Sequence, residues 1–325
     1  LGFTLEGERL HAAVNALDQV LASRAADLGY QEGTGFRLEV ANALWGQDGY
    51  TFLDAFLEAL AKDYGAGMHL VDYATDPEAA REEINAWVLD KTEGRIKDLL
   101  APGTVDNLTR LVLANAIYMK ASWLTPFDPA NTADGPFTLA DGSTVSVPMM
   151  HSQERLNVSQ ASDLVAIELP YIGDQLRMTI LMPAAGTLGA FEEELSPERL
   201  EEILAGLESS EVRLTVPKFR AESEFELAEV LQALGMTDAF APGVADFSGM
   251  DGTRDLYISA VVHKSFVAVD ETGTEAAAAT AVAMRASAAL PSEPLDVVID
   301  HPFLFLIRDQ GTGAVLFVGR IVDPS

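Results

Sequence analysis

The stretch Asp270-Glu271-Thr272-Gly273-Thr274-Glu275-Ala276-Ala277-Ala278-Ala279-Thr280-Ala281 constrains this chain more than any other. Gly273 is free to visit φ > 0 and can act as a hinge, and the residues after it hang almost no bulk on the backbone. Were residues 274 to 282 to become extended, period-two alternation would send Thr274, Ala276, Ala278, Thr280 and Val282 to one face. Glu275, Ala277, Ala279 and Ala281 would take the other, which then carries the only charge. A strand of that kind can slot between two strands of an existing sheet, bury its small face and leave Glu275 in water. An Ala-rich run is more often a helix or a low-complexity linker, and these residues alone leave all three readings open.

At 325 residues and 48% hydrophobic content the chain can bury a large core. No linker or internal repeat divides it, so one domain over residues 1 to 325 is expected. Helical patterning covers residues 5 to 28, 51 to 65, 77 to 100 and 197 to 209, whereas Leu176 to Met182 and Val315 to Val322 are strand-like. Gly311-Thr312-Gly313 sits between strand-like runs and reads as a hairpin turn, not a phosphate loop. A mixed α and β architecture follows.

Lys and Arg number 21 against 50 Asp and Glu, a net charge of −29, which makes nucleic acid and anionic membrane surfaces poor partners. No uninterrupted apolar run approaches the ~18 residues that span a bilayer, and no signal peptide opens the chain as given. A soluble protein is expected, with extracellular and cytoplasmic locations both open. Without cysteine there is no disulfide, thiol nucleophile or thiolate metal site. The five histidines, His11, His69, His151, His263 and His301, lack paired metal-ligand spacing, so no metal is expected, and nothing implies a cofactor. The serines lack a Gly-x-Ser-x-Gly elbow, and the carboxylate pairs Glu82-Glu83 and Glu193-Glu194 fall in helical segments, where they read as solvated faces. The chain reads as something other than an enzyme.

The segment Glu271-Thr272-Gly273-Thr274-Glu275-Ala276-Ala277 resembles the reactive-loop hinge of the serpins. Further serpin-like segments surround it in family order. Asn115 to Trp123, followed by Pro126-Phe127-Asp128, is similar to the central sheet strand and its exit, and Ile84 to Val88 with Thr92, Gly94 and Ile96 to the helix before it. Val145 to Met150, Leu169-Pro170-Tyr171, Val216-Pro217-Lys218-Phe219, Leu234-Gly235-Met236, Ala245 to Gly249 and His301 to Phe305 follow. The resemblance runs from Leu1 to Pro324 and is to an inhibitory, prokaryotic member. Leu1-Gly2-Phe3 resembles the segment just after the family's third helix, so three opening helices of a longer polypeptide are expected to be absent.

The resemblance implies an α+β serpin fold: a mixed main sheet, further sheets, a helical bundle and a mobile reactive loop over residues 271 to 291. It implies a suicide-substrate inhibitor of serine proteases, in which the cut loop inserts into the main sheet and traps the acyl-enzyme; a non-inhibitory carrier or chaperone is the alternative. The hinge comprises Glu271, Gly273, Thr274, Glu275, Ala276, Ala277 and Ala278, with Glu271 facing Lys218 and Trp123 packed where the loop enters. Asn115 and His263 are implied as a pair behind the sheet centre. Family counting from Glu271 puts the scissile bond at Ser287-Ala288, a context suited to elastase-like or subtilisin-like enzymes. Cutting after Met284 by a chymotrypsin-like enzyme, or after Arg285 by a trypsin-like one, is the alternative. With no Lys/Arg cluster on a helix, glycosaminoglycan control is not expected, and a monomer is.

Overall fold

The computed structural model describes residues 3–27, 36–64, 67–274 and 293–325. In chain order the elements are α1 (Gly7–Asp27), β1 (Phe36–Gln47), α2 (Asp54–Tyr64), β2 (Met68–Val71), α3 (Pro77–Lys91), β3 (Leu111–Ser122), β4 (Ala133–Thr138), β5 (Thr144–Gln160), β6 (Leu164–Pro170), β7 (Leu176–Pro183), α4 (Leu188–Glu194), α5 (Pro197–Ala205), β8 (Glu208–Pro217), β9 (Phe219–Glu226), α6 (Ala228–Ala233), α7 (Ser248–Asp251), β10 (Ala260–Val269), β11 (Gly273–Thr274), β12 (Leu295–Val298), β13 (Phe303–Asp309) and β14 (Val315–Ile321). The residues fall into two compact units, one of Leu1–Ala22, Leu38–Tyr118 and Glu222–Phe266, the other of Ser23–Arg37, Met119–Ala221 and Val267–Ser325.

Within the first unit, α3 shows how local chemistry sets an element. The Asp76 carboxylate accepts from the Ala79 amide at 3.0 Å and Pro77 occupies the first turn, both favourable at a helix start. The helical reading of residues 77 to 100 is corrected at its far end, because α3 stops at Lys91. There Thr92 turns its hydroxyl back to the Val88 carbonyl (2.8 Å) and accepts from the Ile96 amide (3.1 Å), while Glu93 and Gly94 take φ of 51° and 77°. That left-handed pair ends the helix, with the Gly94 amide closing on the Leu89 carbonyl at 2.8 Å. The same unit holds β1 beside β2 in parallel, and β3 from Val112 to Tyr118 beside β10 from Ala260 to Phe266, also parallel.

The second unit contains an eight-stranded sheet of order β12-β8-β5-β6-β7-β13-β14, with β4 paired to β5. Its central strands β7 (LRMTILMP) and β13 (FLFLIRD) are buried along nearly their whole length, as expected of strands covered on both faces. Buried charge is tolerated there because it is paired. Glu168 takes Arg308 at 2.5 Å and Arg177 at 2.8 Å, and Asp309, fully buried, takes Arg24 at 2.8 Å. Helix α5 starts on Ser196, whose hydroxyl accepts from the Arg199 amide at 3.2 Å, and stops at Gly206, short of the expected residue 209. The expected strands at Leu176 to Met182 and Val315 to Val322 are β7 and β14, and Gly311 to Gly313 lies in the turn joining β13 to β14.

The remaining sheet has order β2-β1-β3-β11-β10-β9. Strands β3, β9 and β10 pass along the chain from one unit into the other. In the second unit the two residues of β11 lie between the ends of β3 and β10 and run antiparallel to both, pairing Gly273 with Ser122 and Thr274 with Ala121 and Val269.

Candidate functional site

The segment read as the hinge begins as a turn closed by its own side chain. Asp270 Oδ1 accepts from the Thr272 hydroxyl (2.6 Å) and amide (2.8 Å) and from the Gly273 amide (3.3 Å). This short-range capture is what an Asp at a turn start offers. Three donors from the segment after β3 then grip the outer backbone: Trp123 Nε1 to the Asp270 carbonyl (2.9 Å), the Trp123 amide to the Thr272 carbonyl (3.0 Å), and the Phe127 amide to the Glu271 carbonyl (2.8 Å).

Gly273 is required by space. Its φ is +151°, and a Cβ built on it would stand 2.0 Å from the Ala121 carbonyl oxygen and 2.7 Å from Ser122 Cα. Both obstacles are backbone, so no side-chain adjustment relieves them. Thr274 follows with no exposed surface, and its hydroxyl shares a 2.7 Å hydrogen bond with that of Tyr171, itself fully buried. The Tyr171 ring stacks on Trp123 with centroids 4.6 Å apart and planes 12° from parallel. Burial pushes the Tyr171 phenol well up from its ordinary value, so it stays a neutral hydroxyl.

Glu271 is 8% exposed. Lys218 Nζ lies 2.8 Å from Oε2, and the Thr132 hydroxyl donates to Oε1 at 2.8 Å. Burial works against the carboxylate, yet the hydrogen bonds from Lys218 and Thr132 outweigh it and hold the pKa below its ordinary value. Lys218 is placed by β8, which ends at Pro217 opposite Met149, after which the Lys218 amide donates to the Pro148 carbonyl at 2.9 Å.

In the first unit, Asn115 of β3 stands directly opposite His263 of β10, and their side chains hydrogen-bond through Oδ1 and Nδ1. Asn115 Nδ2 donates onward to Asn42, and the His263 ring stacks on Phe225 at 6.3 Å. Burial depresses the His263 pKa, favouring the neutral ring. A side-chain bond thus bridges two strands that also pair through their backbones, and separating the strands must break it.

The structure therefore brings Trp123, Lys218, Glu271, Gly273 and Thr274 into one cluster and Asn115 and His263 into another pair. Glu275, Ala276, Ala277, Ala278, Met284, Arg285, Ser287 and Ala288 lie outside the described residues. Two hinge contacts escape sequence reading. Tyr171 falls in a quoted motif without any signal that its hydroxyl reaches Thr274, 103 residues away, and Thr132 has no local signal at all. Among the described residues no group of three or more His, Cys, Asp or Glu is arranged to hold a metal, and no helix is long and apolar enough to cross a membrane.

The family model described as Serpin (serine protease inhibitor) matches residues 1–324. The chain is 41% identical over 326 residues to leukocyte elastase inhibitor A of Rattus norvegicus, an alignment covering 98% of this chain and 83% of that protein. It is 42% identical over 295 residues to an uncharacterised serpin-like protein of Thermococcus kodakarensis, covering 90% and 68%. Similar proteins thus include mammalian and archaeal ones, and they give the expected prokaryotic source no particular support. Among solved structures, Serpin48 of Tenebrio molitor matches with a TM-score of 0.83 at 31% identity, covering 99% of this chain and 83% of that one. A match of this length, with identities above 40%, shows that the chain belongs to the serpin family.

Proposed function

We propose that this serpin is a suicide-substrate inhibitor of serine proteases, and that its cut loop enters the six-stranded sheet between β3 and β10. The observation that carries the reading is Thr274: the first residue of the small face is already buried as a rung between those strands. Continuing the same antiparallel register after cleavage would set Ala276 against Met119 and Val267, Ala278 against Ile117 and Ser265, and Thr280 against Asn115 and His263. The advancing strand would replace the direct β3–β10 pairing and break the Asn115–His263 bond on the way, which is the role we assign to that pair. Trp123, Lys218 and Glu271 would hold the entry point. About ten new hydrogen bonds at a net 0.5–1.5 kcal/mol each give on the order of 10 kcal/mol. That is comparable with the whole stability of a typical domain and enough to distort a tethered enzyme.

We assign the scissile bond to Ser287-Ala288 and the target to an elastase-like serine protease, in keeping with relatives named as leukocyte elastase inhibitors. Subtilisin-like enzymes, with permissive pockets, also suit this context; Met284 and Arg285 are the positions a chymotrypsin-like or trypsin-like enzyme would use. The reading treats residues 1 to 325 as one inhibitor and residues 271 to 291 as its loop, supported by the family match over 1–324. The test is incubation with elastase-like, subtilisin-like, chymotrypsin-like and trypsin-like proteases, followed by denaturing gels and mass spectrometry of the released C-terminal peptide. An SDS-resistant complex with a peptide starting at Ala288 is expected. Cleavage by these enzymes with no such complex would overturn the reading and leave a non-inhibitory carrier or chaperone in its place.

A further inference from the structure

The backbone around Thr274 is held from several sides, but among the described residues its side chain has one polar partner, the hydroxyl of Tyr171 at 2.7 Å. Tyr171 is well fixed for that task. Its amide donates to the Leu176 carbonyl at 3.0 Å, closing a turn in which Gly173 and Asp174 take φ of 81° and 55°. Its backbone bridges to Trp123, and its ring lies flat on the Trp123 indole, whose Nε1 in turn holds the Asp270 carbonyl. One aromatic pair therefore fixes both ends of the turn, Trp123 at Asp270 and Tyr171 at Thr274.

Among the described residues, Gly273 and Thr274 pair with β3 and Thr274 with β10, so few backbone pairings hold this segment in the sheet. Buried hydroxyls without partners are costly, so each of these two oxygens makes the other's position favourable. We propose, building on the inhibitor reading above, that Tyr171 is a positioning residue for loop insertion: its hydroxyl holds Thr274 as the first rung of the inserting strand before any bond is cut, and so fixes the register in which the strand enters. The role assigned to this pair is in the competition between insertion and hydrolysis of the acyl-enzyme, not in the cut itself.

The test compares wild type with Tyr171→Phe, Thr274→Val, the double variant and Thr274→Ser. Two readouts are taken: amide exchange of peptides spanning 121–122 and 272–274 in the uncut protein, and the number of inhibitor molecules cleaved per elastase-like protease trapped. Tyr171→Phe and Thr274→Val should each speed exchange at the hinge about two- to tenfold, the range of one neutral hydrogen bond, and raise the cleaved-to-trapped ratio by a similar factor. The double variant should be no more affected than either single one, because it leaves no unpaired buried hydroxyl, and Thr274→Ser should behave as wild type because it keeps the hydroxyl. Unchanged exchange and ratio in both single variants, additive effects in the double, or a Thr274→Ser that behaves as Thr274→Val would overturn the positioning role. A wild type that traps no protease would overturn the inhibitor reading instead, while the exchange comparison still decides whether the rung depends on the hydroxyl pair.

Discussion

Replacing Thr274 with Arg tests the insertion reading at its first rung. Thr274 has no exposed surface, and its hydroxyl bond to Tyr171 is lost on substitution, a cost of about 0.5–1.5 kcal/mol. A guanidinium kept in that place would also be a buried charge among Ala121, Val269 and the Tyr171 ring, which costs several kcal/mol more unless the hinge swings out. In the uncut protein the hinge is expected to turn outward, a local change. On the insertion reading it must re-enter after cutting, because residue 274 would lead the strand. If about 2–4 kcal/mol of that cost is felt at the barrier, insertion slows roughly 30- to 1,000-fold, and hydrolysis of the acyl-enzyme overtakes it. The assay is a titration of an elastase-like protease with each protein, reading SDS-resistant complex and cleaved inhibitor. The variant should be cut about as fast as wild type and yield little or no complex. A complex yield equal to that of wild type would refute the reasoning.

Gly273→Ala should expel β11, because a Cβ 2.0 Å from the Ala121 carbonyl adds a backbone clash to the roughly 1–3 kcal/mol of strain at φ +151°; hydrogen exchange at 272–274 should then approach that of an unpaired segment, and wild-type protection would contradict the reading. The hinge should also loosen in acid. Glu271 titrates below its ordinary value of 4.5, so the unfolded state binds the extra proton first; the stabilisation is complete above about pH 4.5 and is lost as pH falls through the folded value. Comparing hinge exchange in wild type and Glu271→Gln from pH 6 to pH 3 isolates this carboxylate from Asp309 and Glu168, and an identical pH profile in the two proteins would show that the Lys218 pair is not involved. Ser287→Arg should shift trapping toward trypsin-like enzymes, and an unchanged protease preference would show that the scissile bond lies elsewhere.

The need for glycine at position 273 is legible in the sequence for a physical reason. A glycine beside small residues is demanded wherever one backbone approaches another, and at Gly273 the approach leaves no room for a methyl. Strands such as β7 are equally readable, since burial on both faces requires a continuous apolar run. Helix ends are less so: α3 continues in pattern past Lys91, but Thr92 and the left-handed Glu93 and Gly94 turn the backbone away. Least legible are contacts set by tertiary geometry. Thr132 on Glu271 and Tyr171 on Thr274 join ordinary residues far apart in sequence, and Arg308 between Thr179 and Glu168 places a charge inside an apolar strand. Nothing local distinguishes these side chains from exposed ones of the same type.

The most direct test of insertion is the melting temperature before and after a single cut within residues 284 to 288, made with catalytic amounts of protease. If the freed segment becomes a central strand between β3 and β10, a gain on the order of 10 kcal/mol in hydrogen bonding should raise the melting temperature by about 10 °C or more. A cut protein that melts at the same temperature as the intact one, or below it, would contradict insertion.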